Sequence, residues 1–145
     1  MSKPFLIIQL RPEDATADNE LEAIRHYGTL EDSEIVRLRA EQAGLKDIEL
    51  SRYAGIIVGG SPFDISTPAD QKSAMQLEIE AGFSDLFDTV IAQDFPFLGC
   101  CSGNGLLGNY LGASISQKYA EAVGGATIAL SEEGRRDPLL RGFPD

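Results

Sequence analysis

Near the start of the chain stands a largely apolar run, Phe5-Leu6-Ile7-Ile8-Gln9-Leu10, which Arg11-Pro12-Glu13-Asp14 ends. Short continuous apolar runs bounded by breakers mark strands covered on both faces. Tyr53 to Val58 and residues 95–100 repeat that pattern, whereas Ile35-Val36-Arg37-Leu38-Arg39 alternates and reads as a half-covered or edge strand. Between these runs the period changes. Residues 19–27 place Leu21, Ile24 and Tyr27 at helical spacing, with Gly28 as the stop signal. The longest helical pattern runs from Pro68 to about Thr89 through Met75, Leu77, Ile79, Phe83, Leu86 and Phe87, with Gly82 as a point of division. Residues 103–111 predict another helix, and residues 115–128 predict short extended pieces around Gly124-Gly125. The predicted order is β-α-β-β-α-β-α-β. Strands alternating with helices imply an α/β fold, a mostly parallel sheet with helices on both faces. Loops at the carboxyl ends of such strands build the site. Gly59-Gly60 and Cys101 both fall there, so the fold brings them together.

At 145 residues the chain has the length of one domain. Its net charge of −11 makes nucleic acid and anionic membrane poor partners, and the acidic excess reads as solubility. The two cysteines are adjacent, which rules out a disulfide scaffold and suits a reducing, cytoplasmic setting. Met1-Ser2-Lys3-Pro4 leads straight into an apolar run too short to span a membrane, and no secretory signal is visible. His26 is the one histidine, no metal-ligand spacing occurs, and no cofactor is expected.

The chemistry concentrates in Gly99-Cys100-Cys101-Ser102-Gly103, between a predicted strand and a predicted helix. A G-x-C-x-G at such a turn is the thiol form of a nucleophile elbow. The turn strains the nucleophile's backbone, the small residues let strand and helix pack closely, and the helix N-terminus favours a negatively charged sulfur. Cys101 is the candidate nucleophile. The plainer reading, a small buried apolar residue, suits Cys100, whose side chain should point the other way. Gly59 and Gly60 permit a close backbone approach, or form a plain glycine turn. Asp64 reads as a loop or N-cap residue, and Asp70 and Glu78 as residues of a solvated helix face. His26 falls on an early helix, away from the carboxyl edge, and reads as a surface residue.

Three ordered motifs resemble those of the class I glutamine amidotransferases, the Cys-His-Glu enzymes that take ammonia from glutamine, and among them the GMP-synthase-like members. Gly55-Ile56-Ile57-Val58-Gly59-Gly60-Ser61-Pro62 is similar to the family's G-x-I-[IL]-x-G-G-P-x-S. Residues 99–107, followed by Tyr110-Leu111-Gly112-Ala113, are similar to G-[IV]-C-x-G-x-Q-x-[LI] and x-x-L-G-G. Asp137-Pro138-Leu139-Leu140-Arg141-Gly142-Phe143-Pro144 is similar to D-P-L-F-x-G-[LF]-P. The resemblance implies a flavodoxin-like sheet with Cys101 as nucleophile, Gly60 N–H and Ser102 N–H as the oxyanion hole, and Gly59 and Gly103 beside the substrate. It implies glutamine as substrate and a synthetase domain or subunit as the ammonia acceptor.

Two departures shape the expectation. Gly105 stands where the family has a glutamine that helps hold the substrate. The family's H-x-E pair lies downstream of the D-P-L-F-x-G-L-P motif, and the sequence stops at Asp145, directly after it. Residues 1–145 are therefore expected to be the N-terminal part of a single amidotransferase domain. The expected sheet is incomplete at its C-terminus, the chain is inactive by itself, and an open edge favours a homodimer. Two other readings stand beside this one. One is a non-catalytic amidotransferase-like binding domain. The other is a different cysteine chemistry on a similar sheet: a gamma-glutamyl hydrolase, a peptidase or a thiol stress protein. The last two would call for an acid beside the cysteine, with Glu13 or Glu20 as candidates.

Overall fold

Four of the predicted strands form, and they form in parallel. The computed structural model describes residues 3–116, 118 and 124–143. Strands β1 (Phe5–Gln9), β2 (Ile35–Arg39), β3 (Gly55–Val58) and β4 (Phe97–Gly99) make one sheet in the order β2-β1-β3-β4. Phe5 stands opposite both Ile35 and Gly55, and Val58 stands between Ile8 and Gly99.

Alternation along β1 divides the molecule. Leu6 and Ile8, with Ile56 and Val58 of β3, belong to the main core, which is closed by helices α3 (Ala74–Ala92) and α4 (Ser102–Tyr110) through Ile79, Phe83, Leu86, Phe87, Val90 and Leu106. Phe87 meets Phe83, Phe97 and Tyr110 at ring-centroid distances of 5.6, 5.2 and 5.3 Å, tying α3 to β4 and α4. Ile7 and Gln9 alternate to the other face and are fully buried. There Gln9 Nε2 donates to the Ala17 carbonyl of α1 (Asp14–Gly28) at 2.6 Å. Helices thus cover both faces of a parallel, flavodoxin-like α/β sheet, as the patterns predict.

The boundaries differ in instructive ways. Helix α1 starts five residues earlier than its apolar spacing predicts, because its first turn buries only Ala17 and is held by charge: Arg39 reaches Asp14 at 2.8 Å. Helix α3 starts at Ala74 rather than Pro68. Ser73 caps it by accepting the Gln76 N–H at 3.1 Å, and residues 69–71 form a separate turn before Lys72 returns to extended backbone. Gly82 does not divide α3, which runs through it. A short helix α2 (Ala40–Ala43), absent from the apolar pattern, follows β2. Of residues 115–128, the described ones form no strand, and 117 and 119–123 lie outside the described residues.

The order β2-β1-β3-β4 places a switch in direction between β1 and β3. The loops leaving their carboxyl ends diverge there, which is where open α/β sheets bind ligands. Strand β4, beside β3, delivers Cys101 to the same edge.

Candidate active site

Strand β4 ends at Gly99 and α4 begins at Ser102, so the chain reverses within two residues. Cys101 takes the strain, with φ 53° and ψ −107°. L-residues seldom occupy that region, and one held there costs about 1–3 kcal/mol. Close packing maintains it. A Cβ at Gly99 would stand 2.5 Å from the Gly103 backbone, and one at Gly103 would stand 2.8 Å from Val58 Cβ. Cys100 N–H donates to Val58 O at 2.8 Å, and Gly103 N–H to Cys100 O at 3.0 Å, tying the turn to β3.

Cys101 lines a cavity of about 310 Å³. Leu10, Ile79 and Leu106 give it an apolar floor, and Ser61, Asp64, Gln76 and Glu80 are its polar lining. Cys101 and Cys100 are both exposed. For Cys100 this corrects the expected buried position: β4 is an edge strand, and its face that carries Leu98 and Cys100 is exposed. The Cys100 thiol is nevertheless pushed up from its ordinary pKa, first by partial burial, then by the charges of Glu20 and Cys101.

The glycine loop shows a second correction. Gly59 N–H continues the sheet to Ile8 O at 3.1 Å. Gly60 N–H, expected to face the nucleophile, instead donates to Glu20 Oε2 at 2.8 Å. Glu20 lies one helical turn beyond buried Ala17, on the inner side of α1. Its carboxylate also accepts from Arg11 Nε at 2.8 Å and Gln9 Nε2 at 3.1 Å. A Cβ on Gly59 would collide with that carboxylate, and one on Gly60 would stand 2.5 Å from Arg11 Nη2. The two glycines thus admit an internal ion pair. The next amide turns the other way: Ser61 N–H donates to Ser102 Oγ at 2.9 Å, and the two hydroxyls are also 2.9 Å apart.

The remaining candidates are placed as follows. Gly103 is buried against β3 and Ser102 lines the cavity. Gly105 also lines it, with Ile65 Cγ2 at 3.3 Å from where its Cβ would be. Asp64 is a loop residue whose carboxylate accepts from the Ser66 hydroxyl at 2.7 Å and the Ser66 amide at 2.8 Å; those bonds, hydroxyl first, hold its pKa below the ordinary value. Asp70, Glu78 and Glu13 are exposed. His26 is exposed near the end of α1, edge-on to Tyr27 at 5.0 Å. Because α1 runs back against the strands, that end lies at the sheet's amino edge, opposite Cys101. Asp137 caps the turn at 138–140 by accepting the Leu139 N–H at 2.8 Å, with Leu139 and Phe143 exposed.

Ser61, Gln76 and Glu80 carry site geometry that the sequence reading does not assign them. Gln76 Nε2 donates to Asp64 O and to Glu80 Oε1, both at 2.9 Å, and Lys72 Nζ reaches Glu80 Oε2 at 2.7 Å. A signal for them exists: positions 76 and 80 interrupt the stripe that carries Ile79 and Phe83 into the core.

A cysteine at positive φ between a parallel strand and a helix, opening on a cavity, defines a site suited to attack on a carbonyl carbon by sulfur. A model of the family described as glutamine amidotransferase class-I matches residues 13–145. The chain belongs to that family, and membership supports glutamine amidotransferase chemistry in general. Searches of curated proteins and of solved structures return no match. Among the described residues no helix is long and apolar enough to cross a membrane.

Proposed function

We propose that this domain carries the glutaminase half of an amidotransferase reaction, with Cys101 as its nucleophile. The observation that supports it most is the strained Cys101 turn opening on the 310 Å³ cavity. The Cys101 thiolate attacks the side-chain carbonyl carbon of glutamine, forming a carbon–sulfur bond and an oxyanion. Ser102 N–H, the first amide of α4, has no intrahelical acceptor and donates to that oxyanion. Collapse of the intermediate breaks the carbon–nitrogen bond, and the leaving nitrogen takes a proton from solvent and departs as ammonia. Water then cleaves the thioester, releasing glutamate and restoring the thiol. The ammonia passes to a synthetase domain or subunit. The GMP-synthase-like assignment rests on the motif resemblance at residues 55–62, 99–113 and 137–144.

His26, near the end of α1, lies at the edge of the sheet opposite Cys101 and does not serve it as a base. The test is covalent capture. A chloroketone analogue of glutamine should alkylate Cys101, displacing chloride, and millimolar glutamine but not glutamate should slow it. Equal labelling of a Cys101→Ala variant, or labelling that glutamine does not slow, overturns the reading.

Gly105 favours a second reading. It lines the cavity without a side chain, so the amide that the family pattern supplies there is missing. An amidotransferase-like domain that binds a ligand without turnover fits that lack. Such a domain would leave Cys101 unprotected by glutamine in the same assay.

A further inference from the structure

In the 59–61 loop, Gly59 N–H and Gly60 N–H point toward β1 and α1, and Ser61 N–H points toward α4. Gly60 N–H is held on the α1 side by Glu20 Oε2 at 2.8 Å, while Arg11 Nε holds the same oxygen at 2.8 Å. The other carboxylate oxygen is fixed by Gln9 Nε2 at 3.1 Å. Gln9 is fully buried, and its own carbonyl accepts from Arg37 Nε at 2.6 Å. The Glu20 side chain is only 13% exposed, so this set of bonds is largely shielded from solvent. With Gly60 turned away, Ser61 N–H points to Ser102, the residue after Cys101, and Ser61, Ser102 and Cys101 line one cavity.

We propose that Glu20 is a positioning residue that selects Ser61 N–H, rather than Gly60 N–H, as the loop's oxyanion donor, paired with Ser102 N–H. This deepens the reading of Cys101 as a nucleophile and rests on it. In the resting site the Ser102 hydroxyl occupies the Ser61 donor. A substrate oxyanion replaces it when that side chain rotates, so the donor stays satisfied at every stage. Glu20 touches no substrate. It acts by fixing the peptide plane between Gly59 and Gly60, because an amide donor misplaced by about 1 Å loses much of its effect.

The test separates oxyanion stabilisation from thiol reactivity and needs no glutamine. In a Cys100→Ser background, p-nitrophenyl acetate acetylates Cys101. The sulfur–carbon bond forms through an oxyanion and p-nitrophenolate leaves. Methyl methanethiosulfonate modifies the same sulfur by forming a disulfide and releasing methanesulfinate, with no oxyanion. The ratio of the two rates is the readout. Glu20→Ala should lower it about tenfold or more. Glu20→Gln, whose side-chain carbonyl still accepts Gly60 N–H, should stay within about threefold of the parent. Hydrogen exchange of the Gly60 amide should accelerate in Glu20→Ala and much less in Glu20→Gln.

An unchanged ratio in Glu20→Ala, with the Gly60 amide released, overturns the proposal, as does an equal fall in both rates. If Glu20→Ala does not fold, Glu20→Asp, which withdraws the carboxylate by one methylene, is judged by the same criteria. If glutamine fails to protect Cys101 from the chloroketone while the ratio still falls in Glu20→Ala, the assignment of glutamine fails and the role of Glu20 stands.

Discussion

At the scale of single residues, the backbone of Cys101 is where the fold stores energy for the site. Its φ of 53° is tolerable for glycine and costly for any residue with a Cβ. Cys101→Gly should therefore be more stable than Cys101→Ala by about 1–2 kcal/mol in urea unfolding. The opposite order would mean that the turn relaxes to negative φ. Cys100 gives a second expectation. Its thiol pKa is raised by partial burial, Glu20 and Cys101, so the folded state holds that proton more tightly than the unfolded chain does. Stability should fall as pH rises past the ordinary thiol value and through the folded one. In Cys101→Ser, thiolate absorbance should place the Cys100 titration above the ordinary value, and adding Glu20→Gln should bring it down. The placement of Cys101, Ser102, Gly59 and Gly60 at one edge is legible in the sequence, because breakers after apolar runs mark strand ends. The engagement of Gly60 is not. Its partner Glu20 lies 40 residues away on a helix whose inner face is recognised only once the sheet exists.

At the scale of elements, apolar periodicity marks the four strands, α1, α3 and α4, and is weaker on where the helices begin. Helix α3 illustrates both. Its buried positions are Gln76, Ile79, Phe83, Leu86, Phe87 and Val90, whereas Met75 and Leu77 are exposed. Met75 and Leu77 lie in the first turn of the helix but fall off the buried stripe, so apolar residues there do not mark where it starts. Gln76, polar and buried, hides the stripe's true beginning. The start is fixed by Ser73, whose hydroxyl accepts the Gln76 amide at 3.1 Å. Ser73→Ala should cost about 1 kcal/mol in urea unfolding, with the denaturant slope unchanged. A cost near zero would show that core contacts alone set the helix boundary. Strands β1, β2, β3 and β4 are read more sharply. The buried strands β1 and β3 are apolar over nearly their whole length, with Gln9 the one polar residue, and each is followed by residues that break the apolar run. Helix α2 escapes notice because four residues carry no period.

At the scale of the whole molecule, 23 acidic residues face 12 basic ones, and most of the basic side chains described are already committed. Arg37 reaches Asp18 at 2.7 Å and Arg39 reaches Asp14 at 2.8 Å, binding α1 to β2. Arg11 is held by Glu20 and Lys72 by Glu80. Exposed pairs such as Arg37–Asp18 contribute only about 0–1 kcal/mol each, and salt weakens them. The unpaired acidic surplus repels itself across the surface, and salt weakens that too. The two effects oppose each other in one measurement. Arg11–Glu20 and Lys72–Glu80 are partly buried and therefore screened least, so the loss of attraction is small. The repulsion among a net 11 negative charges is spread over solvent and is screened most. The thermal midpoint should therefore rise between about 20 mM and about 500 mM sodium chloride, as the Debye length shortens from roughly 20 Å to roughly 4 Å. A fall over that range would mean that the α1–β2 pairs, rather than the surplus charge, dominate the electrostatics of folding.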